Sequence, residues 1–411
     1  MFITVKRLLQ WALYSVVIYI FLNIIFVPQG INIQKIIITS FMLFSLIAFI
    51  TIGIKNSKQL KAISSYARLI FYLIIFWACI IIIRGFSLSI QDWVTNFGNI
   101  YMAAAWIAPI ALIPGLKIEN WTTVFKTIFF MFHLMFLLFL ISFFYNKGYN
   151  DWAMLVRPVN FILLIGLYHY RLFDKIKVFL IIIIYILLNA YFTSRRIDLV
   201  FLFLTFSLLL MDKLLLLRDR KTILRYILFG FLFVFTIIFT LGYEVISNFI
   251  ASFINFQESR IFLFTELSNE LSTMEKFIGR GSLGTYYSEY FEHTRYYVVE
   301  ILKKEWYGDS SIRITTEVGY LQMILKGGFI LLALHMLFYI YAIYLGIFRS
   351  NNKFISRLGY YILVMSILSL VEFRPAFTPT FIFLWMAIGT VLSKRYRQMN
   401  DNEINSLIKF K

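Results

Sequence analysis

Apolar runs long enough to cross a bilayer recur along almost the whole chain: near 8–27, 36–54, 67–83, 100–116, 123–145, 155–168, 176–192, 197–211, 223–247, 318–347, 355–371 and 376–392. A spanning helix needs about 20 mostly apolar residues to cross roughly 30 Å of hydrocarbon. Of the 411 residues, 61% are hydrophobic and only 15% charged, and the mean hydropathy is +0.80. A soluble domain must cover its surface with polar groups and is nearer a quarter charged. The expected fold is therefore an all-α integral membrane protein of about twelve transmembrane helices. The run at 155–168 is short and carries Arg157. The N-terminal run is too long for a cleaved signal peptide and lacks a small-residue cleavage site, so it reads as the first span.

The formal net charge of +18 invites a nucleic-acid reading until its placement is examined. With a cytoplasmic N-terminus, the spans put Lys55, Lys58, Lys61 and Arg68 on the cytoplasmic side, and likewise Arg171 to Lys177, Lys213 to Arg225, Arg349 to Arg357 and the tail from Lys394. Cytoplasmic segments then hold 24 Lys and Arg against 6 Asp and Glu, whereas the short outer loops hold 7 against 4 and residues 244–326 hold 8 against 11. The excess follows the positive-inside rule. Both termini are expected in the cytoplasm, and nucleic acid is no partner.

One interruption organises the rest. Residues 1–247 carry nine spans, 248–316 form a large extracytoplasmic loop, 317–392 carry three more spans, and 393–411 are a short polar tail expected to be mobile. Within the loop, 260–274 and 294–306 space apolar residues by threes and fours, as amphipathic helices lying on the membrane or over the mouth of the bundle do. Gly279-Arg280-Gly281-Ser282-Leu283-Gly284 separates them. This matches G-x-G-x-x-G literally, but no strand precedes it in a βαβ unit, and turn geometry accounts for its glycines.

Candidate chemistry lies with basic residues on the outer side: Lys35, Arg84, Lys147, Arg157, Arg195, Arg196 and Arg374. Positive charge there opposes the orientation signal and, where buried, costs a few kcal/mol. Five of the seven are arginine, whose planar fork suits bidentate contact with phosphate or carboxylate. Snorkelling to headgroups, or pairing with Asp92, Asp151, Asp198 or Glu372, explains any one of them. As a set they point to an anionic ligand. Glu317, at the entrance to the tenth span, is a candidate base in a partly desolvated position; a helix-start carboxylate favoured by the dipole is the plainer account. His293 lies among Glu289, Glu292 and Arg295 in the loop; His133 and His335 read as helix contacts. The single cysteine, Cys79, excludes an internal disulfide, and no metal-ligand spacing is present.

Taken in order, the chain has the turn Thr193-Ser194-Arg195-Arg196 after a bundle of spans, then Gln257-Glu258-Ser259-Arg260 opening a loop helix. A Gly-x-Gly turn follows, and Glu317-Val318-Gly319-Tyr320-Leu321-Gln322 leads into a span. This arrangement, over residues 190–345, resembles the O-antigen and capsular polysaccharide polymerases (Wzy-type), relatives of the O-antigen ligases. The ligases have a histidine where Glu317 stands here. The resemblance implies a glycosyltransferase of the bacterial inner membrane that polymerises undecaprenyl-pyrophosphate-linked oligosaccharide repeat units at the outer face, without metal or cofactor. It implies Glu317, Arg195 and Arg196 as catalytic residues. Arg157, Arg260, Arg280, Arg374 and His293 would bind substrate, and Tyr286, Tyr287 and Tyr296 would stack on sugars. The lipid bilayer and a chain-length regulator protein are the partners it allows. A flippase or transporter of lipid-linked saccharide, or a ligase, are the alternative readings.

Overall fold

The computed structural model describes residues 4–26, 33–86, 89–145, 153–158, 161, 201, 204, 207, 259–296, 299–300 and 311–408. These are mostly helical. The spans expected at 176–192 and 223–247, nearly all of the one at 197–211, and the turn carrying Arg195 and Arg196 lie outside them.

Five described helices are long and apolar enough to cross a membrane, or six with one bent pair counted as a span. In the first half these are α1 (Val5–Phe26), α2 (Ile33–Asn56, prolonged by a 3₁₀ turn), α3 (Ser65–Arg84) and α6 (Trp121–Tyr145). Ser64 caps α3 by accepting from Ala67 N. The run at 100–116 is not one straight span: α4 (Ile90–Gly98) and α5 (Ala103–Gly115) meet at 46°. The break at 99–102 carries Tyr101, and Asn96 Oδ1 accepts from Ala103 N across it.

The segment before the last spans folds as α7 (Ser259–Glu270), α8 (Thr273–Ile278) and α9 (Glu289–Tyr296), with a two-residue antiparallel pairing of β1 (Tyr286–Tyr287) and β2 (Ile312–Arg313). The helix expected over 260–274 therefore ends at Glu270, because Ser272 starts a new helix with a capping box to Glu275. The one expected over 294–306 begins earlier, at Glu289, and 301–310 lie outside the described residues. Leu263 and Leu267 of α7, with Leu271 just past its end, recur every four residues and pack on Tyr286, Val318, Leu321, Ile324 and Leu325. One face of α7 is thus packed against residues 318–325.

The long helix α10 (Gly319–Phe348) departs from a simple span. Gly328 has φ 69°, ψ −174°, so the helix is broken there. Residues 319–328 are buried on every side, whereas beyond them Ile330, Leu337, Ile340, Tyr344 and Phe348 form an exposed apolar stripe at helical spacing. Two shorter helices follow where the last two spans are expected, α11 (Lys353–Leu368, 16 residues) and α12 (Pro379–Leu392, 14 residues); every residue of α12 is buried, which places it at the centre of the bundle.

The tail is not mobile, contrary to expectation. It forms α13 (Lys394–Gln398) and α14 (Asp401–Leu407), with Ile404 and Ile408 buried in the main core. Asn352 donates to the Tyr396 and Met399 carbonyls, and Asp401 accepts from Lys353 N. The polar residues that suggested solvent are making caps and hydrogen bonds back onto the start of α11.

Candidate functional site

The Gly279–Gly284 turn is fixed from two sides at the loop end of the bundle. Gly279 and Gly281 have φ of 70° and 83°, which only glycine adopts freely. This frees their neighbours to hydrogen-bond outward: Arg280 N donates to Leu325 O (2.7 Å), Gly281 N to Lys326 O (3.0 Å) and Ser282 N to Ile81 O (2.9 Å). The buried Lys326 Nζ returns donors to Ser282 O and Gly284 O, both at 2.8 Å. Arg84, at the end of α3, donates to Ile278 O (2.6 Å) and Gly279 O (2.7 Å), the terminal carbonyls of α8. Trp77 Nε1 donates to Gly327 O. The literal G-x-G-x-x-G is a clasp between α3 and the break in α10.

Arg280 and Arg84 belong to that clasp. Arg280 is ion-paired with Glu270 (2.6 Å) and Glu275 (2.9 Å) and also donates to Thr285 O. The Arg280 hydrogen bond, aided by Ser272 N, holds the Glu275 carboxyl down at about 2. Glu270 also accepts from Tyr287 N, while Glu266 accepts from Ser288 Oγ and Tyr290 N. The expectation that Arg280 faces substrate gives way to a structural role, because its fork is filled by carboxylates of its own loop.

A second cluster gathers round the turn between α11 and α12. Phe373 has φ 25°, a strained value for a residue with a side chain. Glu372 on one flank meets Arg157 at 3.3 Å. The Arg157 guanidinium, with its side chain only 12% exposed, also lies 4.6 Å from the Phe373 ring centroid. On the other flank Arg374 lies 3.8 Å from the Tyr101 ring centroid and donates from Nη1 to Thr315 Oγ1 (3.0 Å) and Thr316 O (3.4 Å). One residue on, Glu317 is 52% exposed and 3.5 Å from Arg313. The setting is more open than the partly desolvated one expected, and a guanidinium stands beside the carboxylate. Arg313 in turn lies 4.3 Å from the Phe291 ring centroid and sits across the strand pair from Tyr286. Burial pushes the Tyr286 phenol up to about 12.

The fold therefore sets Arg157 and Arg374 on either side of the Phe373 turn, and Arg374 binds the Thr315–Thr316 segment that leads into Glu317. His293 is on α9, 77% exposed and 3.6 Å from Glu289. Arg260 falls in the first turn of α7; Arg195 and Arg196 are outside the described residues. Tyr101, Thr315 and Arg313 were missed by the sequence reading. The alternation of Ile312, Arg313 and Ile314 before a candidate base is the signal that marks a short strand there. Tyr101 carries no such signal. Chemically, the cluster offers guanidinium groups for an oxyanion, beside a solvent-accessible carboxylate for a proton. No protein-family model, curated protein or solved structure matches the chain.

Proposed function

We propose that the protein is a membrane-embedded glycosyltransferase that polymerises undecaprenyl-pyrophosphate-linked repeat units into O-antigen or capsular polysaccharide, at the outer face of a bacterial inner membrane. On this reading the chain has about twelve spans, and residues 248–316 are extracytoplasmic. The observation that carries the proposal is the placement of Arg157 and Arg374 on the two flanks of the strained Phe373 turn, with Glu317 next in sequence to Thr316, whose carbonyl Arg374 binds.

In the reaction, an acceptor hydroxyl of one lipid-linked unit attacks the anomeric carbon of the donor glycan. The new glycosidic C–O bond forms as the bond to the pyrophosphate oxygen breaks. Glu317 takes the hydroxyl proton and passes it to water. Negative charge grows on the departing undecaprenyl pyrophosphate. Arg374, held by Tyr101 and Thr315, and Arg157, held by Glu372, are fixed donors whose orientation precedes the chemistry. Arg195 and Arg196 complete the set in this reading.

A transporter of lipid-linked saccharide is the second reading, favoured by the broken helix at Gly328, since discontinuous helices line many transport sites. The clasp that ties this break to α3 and to the Gly279 turn argues against rocking. Purified protein given defined lipid-linked repeat units in detergent separates the two, because no vectorial transport occurs there. Polymer formation supports the polymerase; its absence across several lipid conditions overturns it in favour of the transporter.

A further inference from the structure

The short helix α8 presents an apolar face that nothing among the described residues covers. Met274 is 67% and Phe277 54% exposed, and Glu275 and Lys276 between them are half-buried. Three residues apart, Met274 and Phe277 share one side of the helix. Phe277 also meets Phe329 edge-on, ring centroids 6.4 Å apart, and Phe329 heads the exposed apolar stripe of α10.

Two rulers fix the level of this face. From the break at Gly328, the remaining helix runs from Phe329 to Phe348, twenty residues. At 1.5 Å per residue that is about 30 Å, the thickness of the hydrocarbon layer. Phe329 therefore marks its boundary on the loop side. Independently, α3 is also twenty residues long, and its last residue, Arg84, holds the terminal carbonyls of α8. A β-carbon on Gly328 would collide with the Phe277 carbonyl, so α8 is pressed onto the break itself. Both rulers put α8 at the plane where hydrocarbon gives way to headgroups.

We propose that α8 is a membrane-interface element whose Met274 and Phe277 insert among the lipid acyl chains, continuing the lipid-facing wall of α10 and α3. The occupant of the face is lipid: through the Phe277–Phe329 contact the patch adjoins the exposed apolar stripe of α10, a helix long and apolar enough to cross a membrane. The inference is independent of the catalytic reading. The clasp makes this face a rigid part of the bundle wall.

The test uses full-length protein in which Cys79, the lone and exposed cysteine, is replaced by Ser. Single cysteines at Met274→Cys, Phe277→Cys, Phe329→Cys and Glu289→Cys carry an environment-sensitive dye in phosphatidylcholine vesicles with acyl chains brominated near the headgroup. Dye at 274 and 277 should emit to the blue of dye at 289 and be quenched by bromine as strongly as dye at 329. Met274→Cys carries the test even if Phe277→Cys disturbs packing, because Met274 is the more exposed. Emission at the aqueous position with no bromine quenching at 274 overturns the proposal. So does a blue shift that follows protein density rather than bromine, which would assign the face to a second copy.

Discussion

Arg374 lies 3.8 Å from the centroid of the Tyr101 ring while its Nη1 donates to Thr315 Oγ1 at 3.0 Å, so a residue from the final turn is positioned by the break in an early bent span. If this guanidinium stabilises a leaving pyrophosphate, Arg374→Lys should lower the polymerisation rate by on the order of 10², the cost of a fixed transition-state donor. Tyr101→Phe keeps the ring and should leave most activity; Tyr101→Ala should not. Initial rates on defined lipid-linked repeats check this, with membrane protein levels measured alongside. Equal rates for Arg374→Lys and wild type remove it from the mechanism.

Glu317→Gln preserves size and hydrogen bonding but not basicity. The rate should fall by roughly 10² to 10⁴ if the carboxylate is the base, with binding of the lipid-linked unit retained. His293→Ala should leave the rate near wild type, since that imidazole is mostly exposed and lies against Glu289 of its own helix. Loss of activity in His293→Ala, with none in Glu317→Gln, would exchange their roles.

Phe373 poses two opposed energies. Its positive φ costs about 1–3 kcal/mol, which Phe373→Gly would relieve, but the ring is buried and supports Arg157. Truncating a buried phenylalanine costs about 3–5 kcal/mol. The ring wins: Phe373→Gly should be net destabilising and inactive, shown by a lower midpoint in detergent thermal unfolding. A raised midpoint would mean that the strain dominates.

Acid should loosen the clasp before the bundle. The Glu275 carboxyl is depressed from 4.5 to about 2. Its stabilising pairing is therefore complete above the unfolded value and is lost as pH falls from about 4.5 towards about 2. Hydrogen exchange across 273–284 should rise over that window in wild type and be already elevated, with a flatter profile, in Glu275→Gln. A steep profile retained by the variant would assign the transition to another group.

Arg84→Gln tests the clasp from the other side. Two charge-assisted bonds to helix-end carbonyls are lost, on an exposed side chain, so the cost should be on the order of 1 kcal/mol. Proteolysis within 259–296 should accelerate while polymerisation on saturating substrate changes little. A selective loss of substrate affinity would return Arg84 to the anion site.

Hydropathy alone was enough to place the described spans, because burial in hydrocarbon requires uninterrupted apolar length. It could not show the breaks: Gly328 lies within the apolar run at 318–347, and the reason only glycine fits there is the packing of α8, whose Phe277 carbonyl a β-carbon at 328 would strike. The outer arginines looked equivalent in sequence. Arg84 and Arg280 were absorbed by backbone carbonyls and loop carboxylates, whereas Arg157 and Arg374 converged on the turn between α11 and α12. That sorting depends on contacts made across most of the chain, beyond the reach of local pattern. The tail misled because its caps use the residue types that also mark mobile ends.

The bond from Arg84 to Ile278 joins positions 194 residues apart, and Trp77 reaches Gly327 over 250. A ribosome adding about 5–20 residues per second leaves the end of α3 waiting tens of seconds for its partners. During that interval the two carbonyls that Arg84 binds have not yet been made. Closure of the molecule is thus a late event in biosynthesis. A chain stopped before Ile278 lacks both carbonyls that Arg84 binds and leaves the end of α3 without its clasp.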